Sequence, residues 1–215
     1  MHPFLARMRR DWDARARENA REVIATGMAD PYMFALSGLH DAHTILHDVF
    51  HLLSADSVVL EIGCGIGRIL TYLAHVFRRV IGIDVSPEMI ARSKDFLSMH
   101  RNVETLVGDG CTLAPLADDS VDFAFSYVVF QHIPSKEVIR SYVREVRRVL
   151  RPGGVFKFLV KHTPWRTDGH VDTWHGVDVD ERDVEQWRAE NGFDLLNRYS
   201  LDAHVAWIVF RAPSA

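Results

Sequence analysis

The 215-residue chain has two cysteines, Cys64 and Cys111, too few for a disulfide framework, which favours a reducing, cytoplasmic setting. No apolar run approaches the ~18 residues that a membrane helix needs. An apolar signal core is also missing after Met1, because Arg7, Arg9, Arg10, Asp11 and Asp13 interrupt too early. Charge of one sign is scarce as well: 25 Lys and Arg against 29 Asp and Glu leave a net −4, without the basic excess that grips a phosphate backbone. No nucleic-acid partner and no membrane contact are therefore expected, and a small or uncharged partner fits better. Repeats and low-complexity linkers are absent, so a single domain is expected, its core built from the 47% of residues that are hydrophobic. Nothing in the sequence sets an oligomeric state.

What is present has a clear rhythm. Apolar runs at 58–62, 80–83, 103–107, 121–129 and 155–160 read as strands, and 68–77, 87–100 and 135–150 repeat apolar residues at helical spacing. Strands alternating with helices imply βαβ units and a parallel sheet. Pro152-Gly153-Gly154 is expected to stop the third of these helices and turn the chain into the fifth strand. Residues 1–53 read as a helical extension or lid broken near Gly27 and Asp30-Pro31, ahead of a core over 54–215. After Lys161 a polar loop, a helix over 180–190 and two strands, 194–200 and 204–211, are expected; the short link between the strands implies an antiparallel hairpin.

Between the first strand and the first crossover helix lies Glu61-Ile62-Gly63-Cys64-Gly65-Ile66-Gly67-Arg68. A glycine loop there brings backbone close to a ligand, facing a helix N-terminus. The dinucleotide fingerprint requires a third glycine at the position held by Arg68. Glu61 beside the loop would repel a pyrophosphate and welcome a cationic, phosphate-free ligand.

This stretch resembles the first motif of the class I S-adenosylmethionine-dependent methyltransferases, and later stretches follow in order: "VIGIDVSPEMI", "LVGDGCTL", "DDSVDFAFSYVVFQHIP" and "VLRPGGVF". The resemblance covers about residues 55–160 well; "RDWDARARENA" and "DTWHGV" more loosely resemble small-molecule members. It implies an α/β fold, a Rossmann-like three-layer sandwich whose mostly parallel seven-stranded sheet ends in an antiparallel C-terminal hairpin. It also implies S-adenosyl-L-methionine as cofactor, with Glu61, Gly63, Gly65, Gly67, Arg68, Asp84, Val85, Asp109, Gly110 and Ser126 as its binding set. By the resemblance, Asp84 accepts bonds from the ribose hydroxyls, while Asp109 and the following amide meet the adenine. Read from the residues alone, the alternatives are Asp84 as an acid at a helix N-terminus, Asp109 as a turn residue and Arg68 as a packing residue, while Asp122, at the buried start of its strand, is assigned mostly to structure.

The family has no single catalytic residue to carry over. Gln131 and His132, just after the fourth strand, are the candidates nearest a departing methyl, and His132 is the candidate base or orienting group because histidine titrates near neutral pH. His175 is a candidate from the tail; Tyr127, Trp174, Trp12 and Tyr32 are candidate wall or lid residues. His132 and His175 are read with equal consistency as ordinary wall histidines. No Asn-Pro-Pro-Tyr, Asp-Pro-Pro-Tyr or Pro-Cys run stands where nucleic-acid methylating enzymes carry one, so the expected acceptor is a small metabolite, methylated at O or N. The rivals are an RNA or protein modifier, a non-catalytic cofactor-binding module, and a nicotinamide-dependent oxidoreductase, the last disfavoured by Arg68 and Glu61. His40, His43, His47 and His51 share a helix face at zinc-like spacing, but without an assignable acid or cysteine partner no metal site is expected. Arg140, Arg144, Arg147, Arg148 and Arg151 read as a solvated face diluted by Glu137 and Glu145.

Overall fold

β-branched and aromatic runs prefer the pleated, buried surface of a sheet. In the computed structural model, which describes residues 3–163 and 171–214, they form one seven-stranded sheet. Its strands are β1 (Val58–Ile62), β2 (Arg79–Asp84), β3 (Val103–Val107), β4 (Val121–Ser126), β5 (Leu150–Lys161), β6 (Asp194–Ser200) and β7 (Val205–Arg211), in the order β3-β2-β1-β4-β5-β7-β6. The first five run parallel; β7 enters antiparallel between β5 and β6, as the expected hairpin requires.

The helices are α1 (Pro3–Ile24), α2 (Pro31–Leu46), α3 (Leu70–Leu73), α4 (Pro87–Phe96), α5 (Lys136–Val149) and α6 (Glu181–Asn191). Alternate strand residues face opposite ways, so two cores form. Val58, Leu60 and Ile62 meet α5 and α6 through Val143, Val146 and Trp187, whereas Val59, Phe123 and Phe125 meet Ile45, Leu70 and Ile90 on the other face. The result is the three-layer α/β Rossmann-like fold.

Several boundaries differ from expectation. The helix expected over 68–77 shrinks to α3, and the chain beyond it tightens into three-residue bonds, His75 N–H to Tyr72 and Val76 N–H to Leu73. The run 121–129 stops pairing at Ser126, because Val128 takes a φ of 56° and turns the chain away. Pro152-Gly153-Gly154 does not precede β5; it forms an irregular start within it, where the register shifts between Val121 and Phe123 of β4. Of the polar loop expected after Lys161, residues 164–170 lie outside the described residues.

The break near Asp30-Pro31 has a local cause: the Asp30 carboxylate accepts from the Tyr32 and Met33 amides and starts α2, with proline where no N–H is needed. A second break falls inside α1, where Asn19 is extended and its Oδ1 accepts from the Glu22 amide, starting a final helical turn. That bend lays Val23 and Ile24 toward the carboxyl ends of the strands.

Candidate functional site

In an open α/β sheet the crevice forms where strand order reverses, at the carboxyl ends of the strands. Here β1 lies between β2 and β4, and a cleft lies above it, lined by residues of the loops that follow these three strands and by α1. The glycine loop forms its floor: the Gly63 and Cys64 amides both donate to Ile83 O, at 2.7 and 3.2 Å. Gly63 has φ +78°, and a Cβ there would strike Val129 on the opposite wall, so the loop depends on glycine at this position.

Asp84 ends β2. Its carboxylate accepts from the Gly65 amide and the Ser86 amide, each at 2.9 Å, and thereby joins the loop to the start of α4. Burial pushes its pKa up to about 6, against the pull of the two amide bonds. Glu61 is 4% exposed; burial holds its carboxyl well above the usual range, and its Oε2 has no hydrogen-bond partner. Arg68, 5% exposed, pairs through Nη1 with Asp41 at 2.7 Å and Ser37 at 3.0 Å, leaving Nε buried without a partner. Glu61 and Arg68 line the same cleft. Orphaned buried polar atoms are rare in folded proteins, and a ligand carrying both an ammonium and a carboxylate satisfies the acid and the guanidinium together.

The acceptor side is aromatic. His132 stands 5.5 Å edge-on from Trp12 and 5.0 Å from Trp174 between ring centroids. Its Nδ1 lies 2.6 Å from Trp174 O, and since a carbonyl only accepts, Nδ1 carries the hydrogen and Nε2 is the basic nitrogen. Burial first, then the nearby Arg15, His175 and Lys161, draw its pKa down to about 4 despite the Trp174 bond. Gln131 Nε2 is 3.4 Å from His132 Nε2. The cover is held by polar clasps: Arg15 of α1 donates to Thr173 O and Oγ1 at 3.1 Å, and Asp13 accepts from Ser86 Oγ and the Glu88 amide.

Of the residues expected at the site, Glu61, Gly63, Gly65, Arg68, Asp84, Val85 and His132 line the cleft, as do Tyr127 and Trp12. Others do not reach it. Asp109 spends its carboxylate on the Cys111 and Thr112 amides and the Thr112 hydroxyl, bonds that hold its pKa low despite partial burial. Gly110 packs toward Val85 and Leu5, Ser126 donates to Ile62 O, and Gly67 lies behind the loop. His175 sits 3.2 Å from Asp172, in a turn which that acid caps, outside the lining; Gln131 also lies outside it. Tyr32 is exposed. The four-histidine face places His43 and His47 in a stack at 6.1 Å, and among the described residues no group of three His, Cys, Asp or Glu is placed to hold a metal. Among the same residues no helix is long and apolar enough to cross a membrane. Sequence reasoning missed Met8, Val23, Ile24 and Met89 of the wall, and Asp13, Arg15 and Asp41 behind it. Only Asp41, a lone acid within a histidine-rich helix, left a signal.

Residues 60–158 match the model of the methyltransferase domain family. A Mycolicibacterium smegmatis protein named "Probable S-adenosylmethionine-dependent methyltransferase" is 35% identical over 141 residues, 64% of this chain and 52% of its own. The malonyl-acyl-carrier-protein O-methyltransferase of Methylococcus capsulatus is 33% identical over 179 residues, 75% of this chain and 60% of its own. The chain thus spans little more than half the length of these curated relatives. The structure of magnesium protoporphyrin IX methyltransferase from Synechocystis, with bound SAH, superposes with a TM-score of 0.74 over 97% of this chain and 99% of that one, a likeness of fold at 13% identity. The matched segment, with its glycine loop in this strand order, is similar to the methyltransferase domain family and to S-adenosylmethionine-dependent methyltransferases.

Proposed function

We propose that this chain transfers a methyl group from S-adenosylmethionine to an oxygen or nitrogen of a small-molecule acceptor, within the cleft covered by α1 and the 172–179 segment. The observation that carries this reading is the pair of orphaned buried atoms, Glu61 Oε2 and Arg68 Nε, on one wall of a cleft that also presents Asp84. These groups fit the cofactor: Glu61 its ammonium, Arg68 its carboxylate, and Asp84 its ribose hydroxyls, with the Gly63–Gly65 backbone allowing close approach. The cofactor supplies a methyl on a sulfonium, open to in-line displacement.

What the chain contributes is alignment and exclusion of water, together worth as much as about 7–11 kcal/mol for well-oriented groups. Trp12, Val23, Ile24 and Tyr127 enclose the acceptor side, and His132 Nε2, neutral at pH 7 and weakly basic because burial lowers its pKa to about 4, orients the acceptor by accepting a hydrogen bond instead of acting as the near-neutral base expected of a histidine. The uncharged acceptor wall favours a neutral small molecule over a nucleic acid. Calorimetric titration with S-adenosylhomocysteine is expected to give micromolar binding, and a parallel titration with NADH none; binding of NADH alone would sink the reading.

A further inference from the structure

α2 contributes no residue to the cleft lining, yet its contact with Arg68, at the end of the glycine loop, is unusually close. A Cβ at Gly38 would stand 2.7 Å from Arg68 O and 2.9 Å from the Tyr72 ring, so α2 is seated directly on Arg68. The Tyr72 hydroxyl fixes that seat by donating to Ala35 O at 2.6 Å. One turn further along, Asp41 serves two cleft residues at once. Its Oδ2 holds Arg68 Nη1 at 2.7 Å, and its Oδ1 accepts from the Tyr127 hydroxyl at 3.2 Å. The Tyr127 ring is in turn stacked on Trp207, centroids 5.5 Å apart and planes 9° apart.

This arrangement opposes a simple electrostatic tendency. Glu61 and Arg68 line one low-dielectric cleft, where burial has the larger effect on the Glu61 carboxyl and the Arg68 cation draws it back toward its ionised form, so the two groups attract. They do not pair, and each keeps a buried atom without a partner. Asp41, with Ser37, supplies the counter-contact that holds the guanidinium back.

We propose that Asp41 is a positioning residue by which α2 sets the cleft: it keeps Arg68 from collapsing onto Glu61, so that both groups face a ligand end carrying an ammonium and a carboxylate. The inference rests on the proposed reading of the cleft as the S-adenosylmethionine site. It also makes α2, outside the segment that matches the family, part of ligand recognition.

The test is calorimetric titration of the full chain with two ligands, S-adenosylhomocysteine, which has the amino-acid end, and 5′-methylthioadenosine, which lacks it. Asp41→Asn is expected to weaken S-adenosylhomocysteine by about tenfold, the scale of one hydrogen bond to a charged group, and to leave methylthioadenosine unchanged. Arg68→Met should show the same selective loss, and adding Asp41→Asn to it should cost nothing more, because coupled residues are not additive. Asp41→Glu, which keeps the charge, should weaken S-adenosylhomocysteine less than Asp41→Asn does. Equal weakening of both ligands in a folded variant, additive losses in the double variant, or an unchanged affinity in Asp41→Asn would each overturn the proposal. A wild-type chain that binds neither ligand would instead overturn the reading of the cleft, and this inference with it.

Discussion

Asp84 and His132 are the two cleft groups whose titration moves furthest into an accessible range, and they move in opposite senses. The folded Asp84 carboxyl titrates at about 6 against a reference of 3.8, so the folded state binds its proton more tightly. Its contribution to stability is present at low pH and is lost as pH rises through about 6. The folded His132 titrates at about 4 against 6.5, so its contribution is present at neutral pH and is lost as pH falls from 6.5 toward 4. Thermal melts of wild type, Asp84→Asn and His132→Asn between pH 7 and 4 should therefore diverge. The Asp84 variant should lose more melting temperature on acidification than wild type, and the His132 variant less; parallel curves would mean neither group is perturbed. Affinity for S-adenosylhomocysteine should fall as pH drops through about 6, because an ionised Asp84 is the better acceptor for two hydroxyls. His132→Ala should lower turnover by about tenfold, the scale of one lost orienting hydrogen bond, with cofactor affinity kept. Normal turnover, followed with labelled methyl on whichever acceptor a screen yields, would remove the orienting role.

At the scale of elements, α2 is fixed at both ends. Its N-terminus is capped by Asp30, and its C-terminal carbonyls are taken up by a lysine from the sheet: Lys157 of β5, wholly buried, donates to Thr44 O at 2.9 Å, Ile45 O at 3.1 Å and Asp48 Oδ1 at 2.6 Å. The cation also lies 4.6 Å from the centre of the Trp207 ring, and Tyr199 of β6 donates to the other Asp48 oxygen. A positive charge at the negative end of a helix is favourable. Burial alone lowers the Lys157 pKa, and Asp48 opposes the shift. Removing one partner of such a buried pair strands the other, so Lys157→Met should cost about 3 kcal/mol in urea unfolding. A loss below ~1 kcal/mol would show that the lysine is merely tolerated. Because α2 also carries Asp41, weakening this clasp should loosen the cleft as well.

Across the whole molecule, the parallel strands deliver their carboxyl ends to one place and the N-terminal segment closes over it. Met8, Trp12, Val23 and Ile24 of α1 line the cleft; Leu5, Ala16 and Ala20 of the same helix are buried in apolar clusters, and polar contacts, Arg9 to Gly108 O, Asp13 to Ser86 and Arg15 to Thr173, clasp it at the rim. An N-terminal helix at the surface opens more readily than the central strands of the sheet do. Addition of S-adenosylhomocysteine should slow amide hydrogen exchange across α1, with little change in β4 and β5. Unchanged exchange in α1 would mean that this helix takes no part in enclosing the ligand.

The order of strands and crossover helices, the glycine loop, the acid ending β2 and the final hairpin were all legible in the sequence. Each is set by local chemistry: side-chain periodicity, glycine where backbone must turn, proline and a capping acid at a helix start. The end of β4 was not legible, since the turn at Val128 runs against the preference of a β-branched residue and only the surrounding packing imposes it. Asp109 had the right motif around it, and the nearby Cys111 and Thr112 claimed its carboxylate. The partners of Arg68 and Lys157 were invisible for a different reason. Asp41 is 27 positions from Arg68, and Asp48 is 109 positions from Lys157, and no periodicity relates residues so far apart. Sequence by itself determined which ligand chemistry the loop favours. Tertiary structure decided which charges meet, because pairing in a buried cleft depends on distances that only the packed helices and sheet impose.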